Sequence, residues 1–442
     1  MNKNLFNEIS KKKHKIFLYN DRSINFDNLK ILINQRAKKI SRFKKGLVSI
    51  STQDKIDFII NFYACNKVNF PVFLNDNNSI KKILNEKINI NYVFKRNNFV
   101  KINKKLSNDY FYDLIIKSSG SSSIARYVYL KNKNISHISK EMNKQMFEKN
   151  KIYNELIFAP IYHAFGFGRL HALMVSKNNI TLTDFYSISN FYNLIIKNNM
   201  INGISIPSKI LSVILKKNKN QNKDLLKKVK YFQVSTGFLD IFSRKKILNH
   251  KINLFLNYGM TEAMRSTFLN LKKNKKKIHT EGKPLNGVRI KIKKNHLKKY
   301  GEILIKGKNL ACGYSDKNEW NKKFKKEYFY TGDIGYLDKD NFLVFKSRLG
   351  NKLTINGKTF YIEDIEKIIK EYFNIDKLKI IQNKNKIYLI SDTKLKKKNL
   401  YKLLNKNKIN ITFDKIIFNK ISLTETGKVK FSDIKKLINE KN

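Results

Sequence analysis

The sequence predicts an α/β protein: a large N-terminal domain of mostly parallel sheets flanked by helices, a small antiparallel section, and a small mobile α+β C-terminal domain. Apolar strand-like runs alternate with segments of helical periodicity through the N-terminal part of the chain. Shorter alternating strands follow between Val288 and Ile305, and beyond Gly350 the pattern restarts on a smaller scale. At 442 residues the chain exceeds one ordinary core. Its 41% hydrophobic content, with 31 Phe and 22 Tyr, gives enough apolar surface to bury despite a polar average.

Between Phe26 and Phe73 the order is helix, strand, helix, strand. Leu29, Leu32, Ile33, Ala37 and Ile40 share a helical face, Gly46–Ile50 is a short apolar strand, Asp57–Ala64 is helical, and Asn69–Phe73 closes the unit. The strand signal recurs at Glu155–Ala159, Gly203–Ile206 and Tyr231–Ser235, each followed by helical or loop material. A turn at Tyr300–Gly301 marks the antiparallel section. The strand Phe342–Phe345 ends before Ser347–Asn351, where Gly350 permits large backbone rotation. We therefore expect domains at 1–347 and 351–442 with a hinge near 348–350. The smaller domain reads as helix Ile362–Tyr372, strands near Leu378–Ile381 and Ile387–Ile390, helix Leu395–Leu404, then Gly427 and a last helix.

A net charge of +57 raises the question of a polyanionic partner. The lysines, however, spread from Lys3 to Lys441 in short runs and form no basic stripe interleaved with aromatics, which argues against nucleic acid. The residues in excess, Lys, Asn, Ile, Phe and Tyr, share AT-rich codons, and Pro (4) and Gly (17) are scarce, so base composition is the simpler explanation. Cys65 and Cys312 lie far apart and lack metal-ligand spacing, as in a reduced compartment. Met1–Lys15 carries no apolar leader segment and no later stretch reaches membrane-spanning length. The expectation is a cytoplasmic protein without a membrane span.

Four segments carry chemistry. Ser118, Ser119, Gly120, Ser121, Ser122 and Ser123 follow the apolar run Leu114–Ile116, so a strand feeds a donor-rich loop able to wrap phosphate oxygens, with Arg126 adding positive charge. Taken alone, a polar turn explains this loop as well, and the Gly-Lys-Ser/Thr ending of a Walker loop is missing. Asn257-Tyr258-Gly259-Met260-Thr261-Glu262 follows the run Ile252–Leu256, again at a strand end, where open α/β sheets bind ligands. Tyr258 offers a ring for a base, Thr261 a hydroxyl for a phosphate and Glu262 a hard oxygen for Mg²⁺; a helix cap at Thr261-Glu262 is the plain alternative. Asp333, in Thr331-Gly332-Asp333, could accept two vicinal hydroxyls or merely make a turn. Finally, Thr424-Glu425-Thr426-Gly427-Lys428 sets one lysine on a glycine-supported turn. His163 stands among aromatics at a strand end with no Ser or carboxylate spacing that makes a triad, as a packed histidine would.

In this order the segments resemble the adenylate-forming superfamily, the acyl-CoA synthetases, aryl-CoA ligases, peptide-synthetase adenylation domains and luciferases. The resemblance covers almost the whole chain and includes Glu281–Val288, Gly301–Gly307 and Gly313-Tyr314. It implies an ATP-dependent carboxylate ligase that forms an acyl-adenylate and passes the acyl group to a thiol, most simply CoA. ATP and Mg²⁺ would be its cofactors, and a small carboxylic acid with CoA or an acyl carrier protein its partners. By position, Ser118–Ser123 and Arg126 would hold phosphates, Tyr258 beside Gly259 the adenine, Thr261 the α-phosphate, and Glu262 the metal. Asp333 and Arg348 would hold the ribose, and Lys428 would serve adenylation with Thr261 and Glu262. The acyl pocket would be lined by His163, Phe165, Gly166, Thr236, Gly237, Phe238 and Met260. The chain departs from the family pattern in having Ser123, Ala125 and Arg126 where a second Gly, Pro and Lys are usual, Gly350 at the hinge, and Thr236-Gly237 for a Gly-Gly pair. A non-catalytic nucleotide- or polyanion-binding protein on the same fold is the alternative from another class.

Overall fold

The computed structural model describes residues 4–419 apart from 10, 12–15, 20–21, 52–53, 77–78, 96–97, 104–109, 119–125, 149–150, 184–185, 199, 217–218, 295–299, 356–357, 376 and 384–385, together with 421 and 437–438. These residues divide into two compact units, 1–290 with 305–329, and 291–304 with 330–442. Strands Val288–Lys294, Gly301–Gly307 and Tyr328–Leu337 straddle the division, and the expected hinge at 348–350 lies inside the second unit.

Two sheets dominate the first unit. In the larger, Asn253–Leu256, Tyr231–Ser235, Gly203–Pro207, Asn154–Ile157, Asn179–Thr181 and Ile16–Tyr19 lie side by side and parallel. Antiparallel strands Thr267–Asn270 and Arg22–Asn25 flank this row. Gly203–Pro207 and Tyr231–Ser235 are buried at every position, the pattern of strands covered on both faces. In the second sheet Leu114–Ser118, Val72–Leu74, Val48–Ile50 and Tyr92–Lys95 are parallel, with Arg126–Leu130 and Asn98–Lys101 antiparallel outside them.

Local sequence explains the helices. In Phe26–Ile40 the buried side is Phe26, Leu29, Ile33, Ala37 and Ile40, and Asn25 caps the start by accepting from Asn28 N. Lys55–Lys67 exceeds the expected Asp57–Ala64 because Asp54 caps it through Ile56 N and Asp57 N and its apolar residues are buried all round. Other boundaries also differ. Strand Leu343–Arg348 runs past Phe345, since Ser347 and Arg348 pair with Ile334 and Asp333. Arg126 begins a strand and does not sit in the preceding loop.

The second unit has its own core of Leu353, Ile362, Ile365, Ile369, Leu378 and Leu389. Helices Ile362–Phe373 and Lys397–Lys406 accompany strands Leu378–Asn383, Lys386–Ser391 and Lys415–Phe418. That is the α+β composition expected for the C-terminal region; Gly427 and most of the last expected helix lie outside the described residues. Among the described residues no helix is long and apolar enough to cross a membrane.

Candidate active site

Parallel pairing delivers four segments to one edge of the large sheet. Asn154–Ile157, Gly203–Pro207, Tyr231–Ser235 and Asn253–Leu256 are neighbours, so the residues after their carboxyl ends, 158–163, Ser208, 236–238 and 257–262, stand in a row. The last of these is tied down by its flanks. Asn257 Nδ2 donates to Thr267 O at 2.8 Å, Tyr258 N to Thr267 Oγ1 at 3.0 Å, and Ser266 N to Tyr258 O at 2.7 Å. A Cβ on Gly259 would stand 2.5 Å from Arg265 N, so only glycine fits. Met260 and Ala263 exchange backbone hydrogen bonds of 3.1 and 3.2 Å, forming a turn that presents Thr261 and Glu262. No helix follows; strand Thr267–Asn270 comes next, which removes the helix-cap reading.

Glu262 is buried, and its Oε1 accepts from Tyr314 Oη at 2.7 Å. Burial pushes the Tyr314 hydroxyl well up, and the charge and hydrogen bond of Glu262 push the same way, so it remains a donor. Tyr314 pairs with Val128, two strand positions from Arg126. The Arg126 guanidinium lies 5.9 Å from the Tyr314 ring centre and 3.6 Å from Glu319 Oε2. Ser118 stands opposite Arg126 in the ladder, and its buried Oγ finds no hydrogen-bond partner among the described residues. The proposed phosphate loop connects these paired ends; Ser119, Gly120, Ser121, Ser122 and Ser123 lie outside the described residues.

The expected acyl-pocket residues play unequal parts. His163 precedes helix Ala164–Met174 without capping it, its ring 4.4 Å from that of Tyr162. Phe165 is buried, whereas Gly166 is required by packing, because a Cβ there would meet Pro160 O. Thr236 has φ +71° and Gly237 φ +142°. Phe238 rests its ring 4.2 Å from the buried Arg244 guanidinium, which pairs with Glu281 at 2.5 Å. In the second unit, Asp333 and Arg348 face each other across paired strands, with Nε 3.1 Å from Oδ1. Lys428 lies outside the described residues.

Sequence reasoning gave some contributors no role at the site. Tyr314 is one. Arg265 is another, a fully buried guanidinium that donates to Phe165 O at 2.8 Å; burial and the repulsion of Arg169 lower it to about 9. Behind the edge, Arg169 and Glu155 form a fully buried ion pair, with Ser205 Oγ 2.5 Å and Tyr231 Oη also on the Glu155 carboxylate. Ser205 Oγ is 3.0 Å from Gln233 Oε1, and Gln233 Nε2 donates to Asn257 Oδ1 at 2.7 Å, carrying the network to the segment that bears Glu262. The signal was present: one acid leading the apolar run Leu156–Ala159 and one arginine in a largely apolar helix.

The fold is mixed α/β, with parallel strands that deliver a tyrosine, a threonine and an anchored glutamate to one sheet edge. Solved structures share it. An o-succinylbenzoate CoA synthetase from Bacillus subtilis, in complex with its acyl-adenylate intermediate, superposes with TM-score 0.78 at 16% identity over 98% of each chain. An ATP-bound RpMatB–BxBclM chimera gives TM-score 0.82 at 15% identity, covering 100% of this chain and 99% of the other. Residues 112–315 match the family model of the AMP-binding enzymes. Among curated relatives, the 2-succinylbenzoate–CoA ligase of Staphylococcus aureus is 25% identical over 291 residues, 62% of this chain and 57% of the relative. The chain thus matches little more than half the length of those relatives.

Proposed function

We propose that this protein activates a carboxylic acid with ATP, forming an acyl-adenylate and pyrophosphate, and then transfers the acyl group to the thiol of CoA. The observation that carries the reading is Glu262, a buried carboxylate fixed by Tyr314 at the sheet edge within the matched family region. Among the described residues no cluster of three or more His, Cys, Asp or Glu could hold a metal. One anchored carboxylate suits Mg²⁺, which takes its remaining oxygens from phosphates and water. When bound, that ion offsets the triphosphate charge.

In the first step the acid's carboxylate oxygen attacks the α-phosphorus, and the bond to the β-phosphate oxygen breaks, releasing pyrophosphate. Two anions must meet, so the chain has to supply positive charge and donors that act most strongly in the transition state. Lys428 would bridge carboxylate and phosphate, Thr261 would donate to the α-phosphate, and Ser118–Ser123 with Arg126 would hold the leaving phosphates. Tyr258 and Gly259 would seat the adenine, and Asp333 with Arg348 the ribose. In the second step the thiol sulfur attacks the acyl carbon, AMP leaves, and the thiol proton passes to solvent. Rotation of residues 351–442 about 348–350 would separate the steps; among the described residues no atom lies within 4 Å of a Cβ placed on Gly350, so their packing does not demand glycine there. We place the reaction in the cytoplasm, a reading supported by the unpaired Cys65 and Cys312.

The acid wall of His163, Phe165, Phe238 and Met260 favours an organic acid with apolar or aromatic character, and 2-succinylbenzoate, the acid in the relatives' name, heads the panel to test. Acid-dependent ATP–pyrophosphate exchange in the wild type, reduced about 100-fold by Glu262→Gln, is the expected result. Exchange that no acid stimulates, or that Glu262→Gln leaves intact, contradicts the proposal. Offering CoA and an acyl carrier protein in parallel then identifies the acceptor.

A further inference from the structure

Two buried hydroxyls at the carboxyl edge of the large sheet stand without partners. Gly203–Pro207 and Tyr231–Ser235 run parallel with Pro207 opposite Ser235, so Ser208 and Thr236 leave the sheet as neighbours. Neither Ser208 Oγ nor Thr236 Oγ1 is accessible to water, and neither finds a hydrogen bond among the described residues. The hydroxyls earlier on the same two strands are satisfied: Ser205 Oγ by Glu155, and Ser235 Oγ by Asn257 O at 3.3 Å. Because an unpaired buried hydroxyl carries its desolvation cost uncompensated, such groups are rare and call for a reason.

The backbone supplies a second, independent observation. Thr236 holds φ +71°, and among the described residues it is the only β-branched one with positive φ. That conformation crowds the branched Cβ and persists only where the surroundings impose it, most often where a ligand is gripped. Gly237 follows at φ +142°, and a Cβ on it would stand 3.2 Å from Ser208 Oγ, so glycine leaves room beside that hydroxyl.

We propose that Thr236 Oγ1 and Ser208 Oγ form a polar subsite of the acid pocket, which receives a hydrogen-bonding substituent of the substrate acid, an oxo or hydroxyl group distinct from its reacting carboxylate. This rests on reading the edge as an acid-activating site. Strand order favours the acid over the nucleotide as occupant. Thr236 follows the strand beside the one that delivers Tyr258–Glu262, but Ser208 is one strand further away, on the side of His163 and Phe165. A hydroxyl can donate or accept, so the pair suits a carbonyl or an alcohol. An acid lacking such a group leaves both hydroxyls unpaired, which is how a built polar site rejects an apolar analogue.

The test compares kcat/KM for pyrophosphate release with matched acids that differ only by an oxo group on the chain, arylalkanoates against their oxo analogues. The wild type should favour the oxo acid about tenfold, the worth of one well-made hydrogen bond. Thr236→Val and Ser208→Ala should each bring the ratio near one with ATP affinity unchanged. A ratio that survives both substitutions, equal rates in the wild type, or altered ATP affinity with the acid ratio intact overturns the proposal. Release with no acid at all overturns the acid-activating reading itself, an outcome distinct from equal rates. Thr236→Gly supplies an independent check: relief of the positive φ should raise Tm by a few degrees, and a lower Tm contradicts the claim that this position is strained.

Discussion

Tyr314 governs how Glu262 can act. Its hydroxyl pins one carboxylate oxygen at 2.7 Å, its ring packs edge-on to Trp320 at 5.2 Å, and its backbone belongs to a strand paired with Arg126–Leu130. The carboxylate is therefore held ready rather than ordered at the moment a ligand arrives, and the preorganisation should show in metal affinity. Tyr314→Phe keeps the ring and removes the pin. We expect it to raise the Mg²⁺ concentration for half-maximal exchange, and to weaken Mg²⁺-dependent ATP binding by calorimetry, each about tenfold; ATP binding without Mg²⁺ should not change. Equal losses with and without Mg²⁺ contradict the assignment. Gly313-Tyr314 was legible in the sequence as a motif, but its partner lies 52 residues away, and no local pattern reveals such a pair.

The short helix Leu5–Ile9 shows how one element is fastened by charge. Glu8 Oε1 accepts from Ser136 Oγ at 2.6 Å and Lys140 Nζ at 2.7 Å, and its other oxygen lies 3.6 Å from His171 Nε2, an ion-pair distance rather than a hydrogen bond. Burial raises the Glu8 carboxyl, but His171, Lys140 and Ser136 outweigh it and leave it at about 2, below the ordinary 4.5. Burial holds His171 below its ordinary 6.5, against the opposing pull of Glu8. Both groups take up protons more readily when unfolded, so their stabilisation is complete above the unfolded values and is lost as pH falls. For His171 the loss begins near 6.5, and for Glu8 it runs from about 4.5 to about 2. A Tm profile should therefore fall in two stages on acidification, and Glu8→Gln should lower Tm at neutral pH and flatten the lower stage; parallel wild-type and mutant profiles contradict this. At this scale the sequence was informative for Tyr231–Ser235, buried at every position, whose expected and observed limits coincide. It was less so at element ends: Leu343–Arg348 extends through pairing with a distant strand, and Lys55–Lys67 through a cap at Asp54.

For the whole molecule, the fold class and the order of the motifs were legible because the motifs follow the strand ends in sequence. Which strand neighbours which was not, and that order places Ser208, Thr236 and Glu262 along one edge. A net charge of +57 over 442 residues did not decide function, being spread along the chain rather than gathered in one segment. The central claim is carboxylate activation by ATP with Lys428 as the adenylation lysine. Its most direct measurement is acid-stimulated pyrophosphate release from Mg-ATP, with hydroxylamine as trap, in the wild type and Lys428→Ala, alongside ATP affinity for both. Release should depend on an acid and fall at least about 100-fold in the variant, while ATP affinity changes less than about threefold. Release that persists in Lys428→Ala, or that no acid stimulates in the wild type, would contradict the claim.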